Sequence, residues 1–112
     1  MRTALVLSAL WFTACIRTPE IRDKVLSEAQ SPSGKWKATV IQRDAGLAPT
    51  TIIVFVHPFT KRPDDGQAVV AITYGSPPVV TFVDDTKLQV RLFGGATNNQ
   101  LKEALGLTII YE

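Results

Sequence analysis

The feature that most constrains the fold of this chain is a series of short apolar segments separated by turn-forming residues. These segments are rich in Val, Ile, Thr and aromatic residues, which favour β-strands; they occupy residues 35–43, 50–57, 67–74, 79–83, 87–93 and 107–111. Clusters of Gly, Pro, Asp and Ser lie between them, and no segment is long enough for a helical crossover. The sequence therefore predicts an antiparallel, mainly β domain of about six strands.

Alternation within these segments indicates which faces are buried. Residues 35–43 place Trp36, Ala38 and Val40 on one face and mainly polar residues on the other. Residues 50–57 are apolar throughout, which is typical of a strand buried on both faces. Residues 79–83 and 87–93 flank a short turn and predict a hairpin with one solvated face. The predicted core consists of Trp36, Val40, Ile52, Val54, Val70, Ile72, Phe82, Leu88, Val90 and Ile109.

These patterns predict a small antiparallel sandwich or a curled meander with at most one short helix. The helical turn is expected at residues 100–105, after a glycine-rich loop at residues 94–99. Residues 16–30 fit a tether, an edge strand or a helical turn, and Ser31-Pro32 ends any helix there.

The first fifteen residues, MRTALVLSALWFTAC, have the order of a secretory signal. Arg2 precedes an apolar run over residues 4–12, and small residues lead into Cys15, the only cysteine. The run is shorter than the roughly twenty residues that a membrane-spanning helix needs. Phe12-Thr13-Ala14-Cys15 resembles the lipobox of bacterial lipoproteins, although lipoboxes usually carry an aliphatic residue where Phe12 stands.

The lipobox resemblance implies cleavage between Ala14 and Cys15 and acylation of the Cys15 thiol, by palmitate or a similar chain. Two alternatives stay open: an ordinary secretory signal cut near Ala14 that leaves a free thiol, and an uncleaved apolar anchor. Ile16 follows the cysteine. In enteric-type lipoproteins an aspartate there favours retention in the inner membrane, so the resemblance favours the outer membrane.

Three regions follow from this division. Residues 1–14 are the predicted signal peptide, residues 15–30 the acylated cysteine with a tether, and residues 31–112 a single β-domain. Removing the first 14 of 112 residues leaves a mature chain of 98, enough for one small domain. No intramolecular disulfide is available to that chain, because it contains one cysteine.

Net charge gives no indication of a polyanionic partner. The formal charge is +2, and it falls to +1 when Arg2 is removed with the signal. Basic and acidic residues are mixed along the chain, so we expect no binding to nucleic acid.

Two further stretches resemble small uncharacterised bacterial lipoproteins and exported β-domains. SPSGKWKA, residues 31–38, is similar to an S-P-D-G-K-x-x-A hairpin that is common in such proteins, and Ser33 stands for its aspartate. RDAG at residues 43–46 with Thr50-Thr51 resembles an R-D-C-G-A-T-T turn. Ala45 replaces its cysteine, and residues 47–49 lengthen the loop. Residues 80–92 resemble the V-x-W-x-D-D-x-x-L-x-V pattern that follows it. The resemblance implies a β-domain and carries no activity.

Few residues indicate chemistry. His57, the only histidine, is required for any Ser-His-Asp triad or histidine metal cluster. Its place at the end of an apolar strand favours a structural role. Asp64-Asp65 and Asp84-Asp85 lie in predicted turns, where aspartate caps its own backbone more often than it binds a cation. Arg43 and Asp44 are expected to pair at a strand end. We therefore expect no catalytic residue, no metal site and no cofactor.

The sequence thus predicts a non-catalytic binding or structural module, tethered to the bilayer of the bacterial envelope through acylated Cys15. In a cell with two membranes it would face the periplasm from the outer membrane. An envelope protein is the expected partner, bound by an edge strand or by segments 50–57 and 68–74 if one of their faces is uncovered. The alternative is a secreted small hydrolase or enzyme inhibitor that uses His57.

Overall fold

The computed structural model describes residues 22–44, 46 and 49–112. Nine strands and one 3-10 turn, Pro63–Asp65, make up its regular structure. The strands are β1 (Arg22–Gln30), β2 (Trp36–Asp44), β3 (Thr51–Pro58), β4 (Gln67–Thr73), β5 (Val79–Asp84), β6 (Lys87–Arg91), β7 (Ala96–Asn98), β8 (Glu103–Ala104) and β9 (Leu107–Tyr111).

The strands form two sheets, which confirms the predicted all-β fold and its sandwich form. Sheet 1 has the order β1-β2-β3-β4-β7 and is antiparallel throughout. Sheet 2 has the order β5-β6-β9-β8. Within it the other neighbours are antiparallel, but β6 and β9 run parallel, which departs from the wholly antiparallel arrangement of about six strands that was predicted.

One apolar core lies between the sheets. Sheet 1 contributes Ala38, Val40, Ile52, Val54, Val56, Val69, Val70 and Ile72, and sheet 2 contributes Val80, Leu88, Val90, Ala104, Leu107 and Ile109. Trp36 and Phe82 are half-buried and pack against this cluster. Every residue of the predicted core therefore lies in the core or directly against it.

In one segment the structure decides between alternatives that the sequence left open, and in two others it differs from the prediction. Residues 22–30, for which several structures were open, form edge strand β1. The predicted loop at residues 94–99 contains β7, which pairs with β4. The helical turn predicted at residues 100–105 is wrong: this segment holds β8, which pairs with β9. Both strands are too short for a periodic pattern to be visible, and their partners fix them.

The β1–β2 hairpin turns at the SPSGKWKA motif. The Gly34 N–H donates to the Ser31 carbonyl oxygen at 2.8 Å, and Gly34 has a φ of 78°. The buried Ser31 hydroxyl accepts from the Trp36 N–H at 3.0 Å. Glycine tolerates this left-handed conformation, and serine satisfies a backbone donor that the turn would otherwise leave unpaired.

Tyr111 joins the two sheets. Its hydroxyl oxygen, on β9, lies 2.7 Å from the Leu101 carbonyl oxygen and 3.0 Å from that of Val69 on β4. The Leu101 N–H also donates to the Val69 carbonyl, at 2.9 Å. Burial raises the pKa of the Tyr111 hydroxyl to about 12.

We predict that Tyr111→Phe lowers the free energy of unfolding by about 1 kcal/mol, because a hydrogen bond at the sheet junction is lost. The raised pKa adds a pH dependence. Stability from the protonated hydroxyl is complete below the unfolded pKa of about 10 and is lost as the pH rises from 10 to about 12. Urea unfolding between pH 8 and pH 12 measures both effects. Tyr74→Phe, which removes an exposed hydroxyl, is the control; equal behaviour of the two variants would contradict the prediction.

Candidate functional site

The predicted lipid attachment and cleavage residues, Cys15 and Ala14, lie outside the described residues. The structure does show where the chain that follows them joins the domain. Arg22 begins β1 and pairs with Asp44, the last residue of β2. No helix in the described part of the chain is long and apolar enough to cross a membrane.

His57 is buried in sheet 1 on the face that points away from the core. Its side chain is 2% exposed. Nδ1 lies 2.9 Å from the Pro58 carbonyl oxygen, which only accepts, so Nδ1 carries the proton and donates. Nε2 lies 2.7 Å from the Thr39 hydroxyl oxygen and accepts its proton in the neutral tautomer. Both ring nitrogens are thus occupied by structural partners rather than by a carboxylate.

The segment between β3 and β4 covers this outer face. A side chain at Gly66 would overlap the Val56 carbonyl and lie 2.5 Å from the His57 Cβ, so the backbone at Gly66 packs directly against β3 at these two residues. The 3-10 turn in the same segment contacts β3. Its Asp64 lies 3.4 Å from the Arg43 guanidinium. Asp65 accepts from the Arg62 N–H at 3.3 Å, which caps the turn.

Arg43 pairs with Asp23 across the β1–β2 ladder, and the expected Arg43–Asp44 pair is wrong. Two guanidinium nitrogens of Arg43 lie 2.9 Å from the two Asp23 oxygens. These bonds lower the pKa of Asp23. Asp44 instead accepts from the Gly46 N–H at 3.0 Å. Neighbouring residues of a strand point to opposite faces, which separates Arg43 from Asp44.

The Asp84-Asp85 pair serves two turns. Asp84 accepts from the Thr86 N–H at 2.8 Å and from its hydroxyl at 2.9 Å, and these bonds lower the Asp84 pKa. Asp85 reaches across to sheet 1, where it accepts from the Ser33 N–H at 2.8 Å. Within the described residues, no group of three or more His, Cys, Asp or Glu side chains is placed to hold a metal ion.

The segments proposed as an interface, residues 50–57 and 68–74, are interior strands of sheet 1. An interface at these strands requires one uncovered face, and β3 has none. Val54 and Val56 face the core, while Phe55 and His57 are buried on the other side. Its partner β4 lies between β3 and β7. The exposed strand edges therefore lie elsewhere.

β5 is the longest strand edge without charged protection. In the described part of the chain it pairs with β6 on one side and has no hydrogen-bonded neighbour on the other. Val79, Thr81 and Val83 are exposed, and Asp84 is the first charged residue. A groove of about 420 Å³ separates β5 from β1, with Leu26 and Glu28 among the residues on one wall and Pro78 and Val80 among those on the other.

The remaining edges carry features that discourage strand addition. β1 contains Arg22, Asp23, Lys24 and Glu28, and its pairing register shifts in mid-strand, between Val25 and Ser27. The register of β5 also shifts, but between Phe82 and Asp84, at the end of the strand. β7 has three residues and β8 two. Charges, bulges and short length all protect an edge from pairing with another chain. In the sequence, VVTFV is visible only as an uncharged run. Its position at a sheet edge follows from the strand order, which the sequence does not reveal.

Comparison with known proteins adds no relative: no protein-family profile, no curated protein and no solved structure matches this chain. The likeness of residues 12–15 and 31–92 to lipoproteins and exported β-domains therefore stays a prediction.

We predict that Thr39→Val lowers the free energy of unfolding by about 1–3 kcal/mol, because a buried ring nitrogen of His57 loses its donor. Thr108→Val is the matched control, since Thr108 is exposed on β9; its effect should stay within about 0.5 kcal/mol. Urea unfolding of both variants provides the measurement. Equal effects would show that the Thr39–His57 bond does not stabilise the fold.

Proposed function

We propose that this chain is a lipoprotein of the bacterial cell envelope that carries a non-catalytic binding module on an acylated Cys15. The observation that carries the binding role is the free edge of β5, the one long edge of the described sheets without a charge before its last residue.

The lipid anchor is supported by the order of residues 1–15, with one positive charge, a short apolar run and a cysteine after small residues. Each buried methylene of an acyl chain contributes about 0.8 kcal/mol, and two chains hold a protein on a membrane far longer than one. Ile16 favours delivery to the outer membrane in a cell that has one, with the domain in the periplasm. Export without acylation is the alternative.

The binding role follows from backbone chemistry at β5. An open edge presents N–H and C=O groups that pair with an extended segment of another protein, while side chains on alternate positions select it. The exposed Val79, Thr81 and Val83 would contact such a segment on the outer face of sheet 2, and the groove beside β1 adds apolar surface. We propose an envelope protein as this partner.

The non-catalytic role is supported by the placement of the candidate residues. His57, on which the hydrolase or inhibitor alternative depends, is buried and bonded to Thr39 and Pro58. Asp84 and Asp85 bond backbone N–H groups of their own turn and of the β1–β2 turn.

The anchor is tested by the intact mass of the protein recovered from membranes. We expect cleavage before Cys15 and the added mass of acyl chains, both lost in Cys15→Ser. Ala29→Ser is the control for a small change elsewhere in the chain and should retain the acylated mass. An unmodified mature chain in the soluble fraction would contradict the lipoprotein proposal.

Strand addition is tested by Thr81→Lys, which places a charge on the β5 edge and should abolish crosslinking to a partner. Thr108→Lys introduces the same charge on an interior strand of the same sheet and should leave crosslinking intact. Chemical crosslinking in cells, followed by immunodetection, measures both, and circular dichroism checks folding. Equal crosslinking by the two variants, or a wild-type protein that is monomeric and uncrosslinked, would contradict the binding role.

A further inference from the structure

The start of β1 lies at one end of the sandwich, together with two exposed aromatic residues. Strand pairing places Arg22 beside Asp44, Thr51 beside Arg43 and Thr73, and Thr73 beside Ala96, so these residues form a row across the end of sheet 1. We call this the Tyr74 end. Three strand spacings separate β1 from β4, so Arg22 lies roughly 14 Å from Thr73.

Tyr74 and Phe93 are the exposed aromatic side chains of this end. Tyr74 is 82% exposed and Phe93 51% exposed. Each precedes a glycine, and the two glycines meet: a side chain at Gly75 would overlap the Gly94 carbonyl, and one at Gly95 would lie 2.7 Å from the Gly75 Cα. This backbone contact holds the loops that carry the two rings beside each other.

The backbone of Tyr74 indicates a constrained display of the ring. Its φ is 59°, a left-handed conformation that is uncommon for a bulky residue. Such strain persists only where the surroundings impose it, and it concentrates at functional positions. Here the fold holds a large amphipathic ring outside the core, next to a groove of about 350 Å³ that Ile52 and Ile72 help to line.

The number of residues between Cys15 and β1 determines which end of the domain can face the bilayer. Cys15 is seven residues before Arg22, so their Cα atoms are at most about 25 Å apart even if the chain is fully extended. β2 runs the length of the domain for nine residues, about 30 Å. A tether of this length reaches the bilayer easily from the Tyr74 end and is too short to let the opposite end face the membrane.

The opposite end exposes one aromatic side chain among the described residues rather than a pair. This residue is Phe59, whose ring lies 5.3 Å below the Lys37 ammonium group. Tyrosine and other aromatic rings concentrate at the membrane–water interface because one part of the ring is apolar and its rim tolerates water.

We propose that Tyr74 and Phe93 insert into the interfacial region of the bilayer that holds the acyl chains of Cys15. This inference rests on the proposed lipid anchor. The contact sets the orientation of the domain: the strands stand away from the membrane, and the β5 edge runs outward from it.

The test uses the single tryptophan of the mature chain as a position reporter. Trp36 pairs with Pro58 at the opposite end; the double variant Trp36→Phe and Tyr74→Trp moves the indole to the Tyr74 end. Acylated protein is purified from membranes, its acyl chains are confirmed by mass, and it is reconstituted into phosphatidylcholine vesicles with brominated chains. We expect an indole at position 74 to lose roughly half of its emission, since indole rings settle at headgroup depth, and Trp36 of the wild type to lose little.

Adding Phe93→Ser to the double variant should reduce the quenching, whereas Val83→Ser at the opposite end should not. An unacylated mass would overturn the anchor and this inference together. An acylated protein whose position-74 indole is unquenched, or quenched no more than Trp36, would overturn the membrane contact alone and leave the anchor standing. Circular dichroism confirms that each variant is folded.

Discussion

Burial of β3 on both faces is the constraint on which the rest of the structure depends. Val54 and Val56 face sheet 2, whereas Phe55 and His57 are buried on the opposite face, where the Arg43 guanidinium lies over the Phe55 ring. A strand covered on both sides must satisfy polar side chains internally, and the Thr39–His57 hydrogen bond does so. The covering segment is held by the Gly66 backbone contact and by Asp64 on Arg43. The histidine is therefore part of the packing that buries β3 on both faces.

The sandwich is closed by hydrogen bonds and a close backbone contact at separate places rather than by a disulfide. Asp85 bonds the Ser33 N–H at one end, Tyr111 reaches β4 from β9, and Gly75 meets Gly94 and Gly95 at the other end. Each contact joins segments far apart in sequence. A chain with one cysteine has no intramolecular disulfide to constrain its unfolded state, so its cohesion depends on the apolar core and on these contacts.

Strands with a clear residue pattern could be predicted, and those defined by their partners could not. Alternation located β2, β5 and β6, and β-branched composition located β3, β4 and β9, because these signals reflect local burial. β7 and β8 have three and two residues and exist through pairing with β4 and β9, which no local pattern encodes. The same holds for the site: turn chemistry anticipated Asp84 and disfavoured His57 as a catalytic residue. The free edge of β5 emerges only from strand order, including the parallel pairing of β6 with β9.

Strand order and tether position together give the two candidate surfaces different orientations. The Tyr74 end contains the start of β1, so the chain that carries Cys15 attaches there. β5 begins near that end and runs away from it along the side of the sandwich. One edge of β5 is hydrogen-bonded to β6. If the domain is anchored at this end, the β5 edge on its side stays accessible to a partner over the whole length of the strand. If the β5 edge instead lay parallel to the membrane, the bilayer would block a partner from reaching it on one side. The geometry therefore makes lipid contact at the Tyr74 end compatible with strand addition at β5, since the first uses the end of the sandwich and the second its side.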